Sequence, residues 1–222
     1  MHSLFALPAV LLALTPFHSS AKPLPQPVKA QLKQGGFWHK GCPVGLGGLR
    51  LLTVRHWGWD GRAHNGQLIV NARAAQPLRR VFRSLYGLHF PIRHMQLDDF
   101  YGPKRERPND VTASFECRQA VPSPCTGASE AVTRPLAEAG GTGTWSQHAY
   151  GLAVDINPRE NPYVGCGQSR DPTSRRYRNR SRHRKGMVTP RAISAFRSIG
   201  WGWGGAWAGN TKDYMHFSST GG

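Results

Sequence analysis

The chain has 222 residues, with 29 lysines and arginines against 12 acids and a formal net charge of +17. That length suits one domain with its own core. Beyond the amino terminus, no apolar run approaches the ~20 residues that a membrane helix requires. The charge favours acidic partners: anionic envelope polymers, peptides with free carboxylates, or nucleic acid.

In chain order, Leu4 to Phe17 is an apolar run broken by Pro8 and Pro16, and Ser19-Ser20-Ala21 supplies small residues for cleavage. Residues 1–21 therefore read as a secretory signal, predicting export to a periplasmic or extracellular location. A retained, uncleaved anchor is the alternative. Residues 22–40 hold three prolines in an unpatterned polar mixture and read as a linker. The remaining domain spans 41–222.

Leu49 to Val54 and Gln67 to Val70 are β-prone and separated by Gly58, Asp60, Gly61 and Gly66, which predicts a pair of strands. Leu78, Val81, Phe82 and Leu85 fall at i, i+3, i+4 and i+7, predicting a helix over 75–85. A second helix is signalled by Thr189 as cap, Pro190 at the first position, the stripe Ile193, Phe196, Ile199, and Gly200 as stop. Between the helices, Tyr101 to Trp145 has few periodic segments. Helices and strands mix without βαβ regularity, so the fold class expected is α+β.

The cysteines are Cys42, Cys117, Cys125 and Cys166. In an exported protein they suggest two disulfides, with three connectivities open; Cys117 and Cys125 can close a short loop. No C-x-x-C pair supports a cysteine metal site. A basic run, 168–186, concentrates eight basic residues between Arg170 and Lys185 against one acid, Asp171. It reads as a solvated flexible loop or as a docking patch for an anionic polymer. Its single aromatic, Tyr177, offers little to stack on bases, which disfavours nucleic acid.

Two short segments carry the chemistry. The first is Ser146-Gln147-His148-Ala149-Tyr150-Gly151-Leu152-Ala153-Val154-Asp155; the second is Asp213-Tyr214-Met215-His216-Phe217. Two imidazoles and a carboxylate, leaving one position open, form the donor set of a catalytic zinc site. On one continuous helix His148 and Asp155 would lie ~10 Å apart by rise alone, too far to share an ion. The chain must turn back between them, and Gly151 is the place for it. Leu152 to Ile156 then alternates as a strand. Asp213, three residues before His216, sits where a carboxylate can move a proton to and from a reacting water.

The patterns S-x-H-x-x-G-x-A-x-D and D-x-x-H-F resemble the M15 family of zinc peptidases, which includes D-alanyl-D-alanine carboxypeptidases, dipeptidases and L-alanyl-D-glutamate endolysins. Phe90 to Met95, Thr112 to Arg118, Asn157-Pro158, Asn161 to Tyr163 and Gly200 to Trp207 are also similar to that family's exported bacterial branch. The resemblance implies a single-domain Hedgehog/DD-peptidase-like fold, with a small antiparallel sheet and flanking helices. It implies His148, Asp155 and His216 as ligands of one zinc ion, Asp213 as general base, and Arg118 as the cleft arginine that holds a substrate carboxylate or the oxyanion. The substrates implied are peptidoglycan stem peptides, met by a monomeric enzyme. Asp110-Val111 and the arginine-rich run depart from the family pattern.

Tyr150, beside the first ligand, and Trp203 are candidate substrate contacts. Trp201, Trp203 and Trp207 can wall a cleft or pack the last strand. His56, His64, His89 and His94 read as structural. The rival from another class is a non-catalytic envelope-binding protein that keeps the fold.

Overall fold

A computed structural model describes residues 15–120, 144–169 and 171–221. The elements in chain order are β1 (Ser19–Pro23), α1 (Gln26–Gln34), β2 (Leu49–Trp57), β3 (Ala63–Asn71), α2 (Ala72–Gly87), α3 (Leu97–Tyr101), β4 (Ala153–Asp155), β5 (Tyr163–Gly165), β6 (Gln168–Ser169), α4 (Pro190–Arg197), β7 (Gly202–Trp203), β8 (Thr211–Asp213) and β9 (His216–Ser218). They build three small antiparallel sheets, ordered β1-β2-β3, β4-β9-β7 and β6-β5-β8. The fold is single-domain α+β, as the mixed pattern predicts.

The hairpin β2–β3 is longer than its sequence signal and closes where Asp60 Oδ1 accepts from Arg62 N at 3.0 Å. Both faces of this sheet are covered. Leu52, Val54, Leu68 and Val70 join α2 and α4 in one core cluster. Leu49 and Ile69 face a second cluster containing Leu32, Phe37, Tyr101 and Phe115. Two-sided burial explains why Leu68-Ile69-Val70 is continuously apolar rather than alternating.

The two predicted helices form. Thr189 Oγ1 accepts from Ala192 N at 3.2 Å to cap α4, and the chain leaves it through Gly200 at φ +80°. α2 starts earlier than its stripe because the Asn71 side chain accepts from Arg73 N at 3.1 Å, capping the helix.

Residues 22–40 do not form the expected loose arm. α1 occupies much of them, and Leu24, Leu32 and Phe37 are buried in the second cluster. Prolines 23, 25 and 27 obscured it, although Pro27 lies in the first turn, where a missing N–H costs nothing. Ser19, Ser20 and Ala21 pair with Val54, Thr53 and Leu52 in β1. Phe17 packs on Tyr86 with ring centroids 5.6 Å apart. Residues 1–14 of the expected signal lie outside the described residues.

Cys117 bonds to Cys42 across 75 residues, not to Cys125; Cys166 is also disulfide-bonded. The basic run is folded rather than a free solvated loop. Asp171 Oδ1 accepts from Thr173 N at 2.8 Å to start a 3-10 turn over Pro172–Tyr177, in which Ser174 and Tyr177 are buried. Arg180 then reaches inward to Glu160 O at 2.9 Å and Asn161 Oδ1 at 3.0 Å.

Candidate active site

The first ligand segment folds back as its glycine requires. Ser146 Oγ accepts from His148 N at 3.3 Å, starting the 3-10 turn Gln147–Tyr150. Gly151 ends that turn at φ +64°. A Cβ there would stand 2.6 Å from Asn71 N, so a side chain is excluded by close approach as well as by conformation. Asn71 holds the corner from the other side, donating its backbone N–H to Gly151 O at 2.9 Å and Nδ2 to Tyr150 O at 2.9 Å.

The chain then enters β4, which pairs with β9 so that Asp155 lies opposite His216. Asp213 ends β8, and the two-residue bend Tyr214-Met215 returns the chain into β9. The bend brings Asp213 into the same cleft as His216.

His148 Nε2 lies 3.2 Å from His216 Nδ1 and 3.2 Å from Asp155 Oδ1. His216 Nδ1 lies 3.1 Å from the same carboxylate oxygen. Tetrahedral bonds of about 2.0–2.1 Å would separate donor atoms by roughly 3.3 Å. The triangle therefore has the dimensions of one face of a zinc coordination shell.

Protonation points the same way. His148 Nδ1 donates to Ser114 O at 2.5 Å, which in a neutral imidazole leaves the Nε2 lone pair directed toward His216 and Asp155. With both imidazoles neutral, the three atoms can all act as acceptors toward a shared cation. Burial pushes the Asp155 carboxyl up, but the charges and hydrogen bonds of His148 and His216 outweigh it and hold the carboxylate well below its usual range.

Among the described residues a second metal-ligand group, His39, Cys42 and Cys117, also clusters. Its two sulfurs are already joined to each other.

Asp213 lines the same cleft, and its Oδ1 is inaccessible and has no hydrogen-bond partner. Burial, and then the Asp155 charge, push its carboxyl up to about 7. Such a group is poised to accept and return a proton near neutral pH.

Arg118 enters the cleft with its Nε donating to Glu116 Oε2 at 2.8 Å. The cleft has a volume of about 680 Å³, within the range for small-ligand sites. The predicted set of His148, Asp155, His216, Asp213 and Arg118 is brought together around it.

The two predicted aromatic contacts are not. Tyr150 and Trp203 pack against the first core cluster, and Trp203 Nε1 donates to Tyr214 O at 2.9 Å. Trp207 lines the cleft instead, its ring centroid 5.8 Å from that of His216. Glu116, Asp171 and Ser174 also line it. Glu116 was legible as the one acid beside Arg118. Nothing in the sequence alone brings Ser174 near His148.

Residues 139–219 match the family model described as D-alanyl-D-alanine carboxypeptidase, the segment that carries His148, Asp155, His216 and Asp213. That segment is 81 of the 222 residues, and over it the chain is similar to peptidases of that family. No curated protein and no solved structure matches the chain.

Proposed function

We propose that this protein is a zinc-dependent, exported D-alanyl-D-alanine carboxypeptidase that trims peptidoglycan stem peptides. The observation that carries the reading is the placement of Asp213, a half-buried acid with one buried oxygen that lacks a hydrogen-bond partner, in the cleft that holds the three convergent donors. Zinc fits a two-imidazole, one-carboxylate set of this size.

His148 Nε2, Asp155 Oδ1 and His216 Nδ1 would hold the ion. When bound, zinc supplies Lewis acidity to the scissile carbonyl and acidity to a water molecule. Asp213 takes the proton from the attacking water and returns it to the leaving amine as the C–N bond breaks. Arg118 binds the terminal carboxylate of the substrate, with Glu116 fixing the direction of its guanidinium. The Ser114 carbonyl keeps His148 in the tautomer that leaves Nε2 free.

Digesting purified stem peptides and identifying the products by mass spectrometry tests the reading. Release of free D-alanine is the expected result. A new amino terminus on D-glutamate would assign the chain to L-alanyl-D-glutamate endopeptidases instead. Zinc and peptidoglycan binding without any cleavage would make it an envelope-binding protein.

A further inference from the structure

A second cleft, of about 740 Å³, shares no lining residue with the first. Its floor is apolar, formed by Trp57, Leu88, Phe90 and Met187; its cationic and imidazole groups are His89, His183, Lys185 and Arg191, and no acid lines it. All four of those groups are exposed. The amino terminus of α4, at Thr189 and Pro190, opens into the same space and adds the positive end of the helix dipole.

His89 is held at φ +51°, a left-handed conformation that a side chain adopts at some cost. That conformation accompanies a stack of its ring on Trp57 at 4.6 Å, and Trp57 in turn stacks on Tyr86 at 5.2 Å. The Trp57 ring is thus held by stacking on both His89 and Tyr86, in a cleft that also carries the cations Lys185 and Arg191.

We propose that this cleft is a non-catalytic binding site for an acidic glycan, a sugar chain bearing carboxylates, which tethers the protein to a polymeric surface. The carbon faces of sugar rings suit the apolar lining, and their carboxylates suit the cations Lys185 and Arg191. A bare polyphosphate has no apolar body to fill the floor. The proposal does not rest on the peptidase reading, because the two clefts share no residue.

The test is calorimetric titration of the full chain with oligogalacturonate, with polyphosphate and neutral dextran in parallel arms. Oligogalacturonate is expected to bind, and the two controls far more weakly. Removing both cations in the double variant Lys185→Ala/Arg191→Ala should weaken oligogalacturonate binding by roughly tenfold or more. The floor variant Leu88→Asn should weaken it by several fold. Hydrolysis of a short soluble peptide should be unchanged in both variants. Equal binding of polyphosphate, or a floor variant that binds like the parent, would reduce the cleft to a general polyanion surface and overturn the proposal. Binding of dextran, or indifference to loss of the cations, would overturn it as well. The Asp213→Ala variant should bind the glycan as the parent does, so a failed peptidase reading and a failed glycan site are told apart.

Discussion

Asp155 and His216 stand opposite each other across β4 and β9, with His216 Nδ1 3.1 Å from Asp155 Oδ1. Antiparallel pairing of two three-residue strands thus supplies two of the three donors. His148 joins them from the turn that precedes β4. Loss of one donor leaves the other two with too few bonds to retain an ion. Asp155→Asn and His148→Ala should each come out of dialysis with zinc near background by elemental analysis, whereas the parent retains about one ion per chain. An Asp155→Asn protein that keeps full zinc would show that the carboxylate is not a ligand.

Removing Asp213 separates proton transfer from metal binding. Asp213→Asn should retain zinc yet lose roughly 10²–10⁴-fold in kcat/KM, the usual contribution of a positioned acid or base. Retained zinc with undiminished hydrolysis would relieve Asp213 of its role.

The same group makes a prediction about stability in the metal-free protein. The folded carboxyl is raised from 3.8 to about 7, so the folded state prefers it protonated. Its ionisation penalises folding as pH climbs from about 4 to about 7, and the penalty is constant above that. Asp155 acts oppositely: its depressed carboxyl stabilises the fold above pH ~4, and that contribution falls away on acidification. Chelated Asp213→Asn should therefore gain on the chelated parent between pH 5 and 8, by on the order of 2 kcal/mol once partial solvent access is allowed for. Urea midpoints across that range measure it, and parallel curves for the two proteins would refute the argument.

The convergence of His148, Asp155 and His216 was legible because its constraints are local. Two histidines and two aspartates in short motifs, with a glycine where the chain must turn, leave few geometries, and β4 begins where the alternation at 152–156 predicts. The aromatic contacts were not legible. Trp203 and Trp207 are four residues apart among glycines, and only the pairing of β7 with β9 decides that the former turns to the core. The arginine-rich run misled for a related reason. Its composition is that of a solvated loop, while the buried polar groups that anchor Arg180, at Glu160 and Asn161, lie about twenty residues away in sequence. The helix α1 was hidden by prolines that serve as its start.

Gly151 is the corner on which the first motif turns. Gly151→Ala would force a Cβ toward Asn71 N in a left-handed conformation. The conformational cost alone is ~1–2 kcal/mol, and the backbone contact adds to it. We expect a loss of about 2 kcal/mol or more in urea unfolding, accompanied by weaker zinc retention because His148 moves with the corner. Wild-type stability in this variant would mean that the corner relaxes freely.

The Cys42–Cys117 bond closes a long loop and fastens the segment after α1 to the strand-like stretch leading to Arg118. In the chain-entropy account a loop of that length is worth about 4 kcal/mol. Cys42→Ser/Cys117→Ser should lose a large part of that in urea unfolding, with the zinc site intact in whatever fraction stays folded. A loss below ~1 kcal/mol would show that α1 and its apolar contacts hold this segment without the bond.

Cleavage after Ala21 would divide β1, separating Ser19, Ser20 and Ala21 from Lys22 and Pro23. The cut would remove the partners of Val54, Thr53 and Leu52 and the Phe17 ring that packs on Tyr86. It would also expose an unpaired edge of β2, a surface prone to pairing with other chains. A protein beginning at Lys22 should unfold at lower urea concentration than one beginning at Thr15, by on the order of 2 kcal/mol from lost apolar burial and pairing. It should also show concentration-dependent association in light scattering. If export removes a leader, the mature terminus read by mass spectrometry should fall before β1 rather than inside it. A mature protein that begins at Lys22 and matches the longer form in stability would show that the first strand is dispensable.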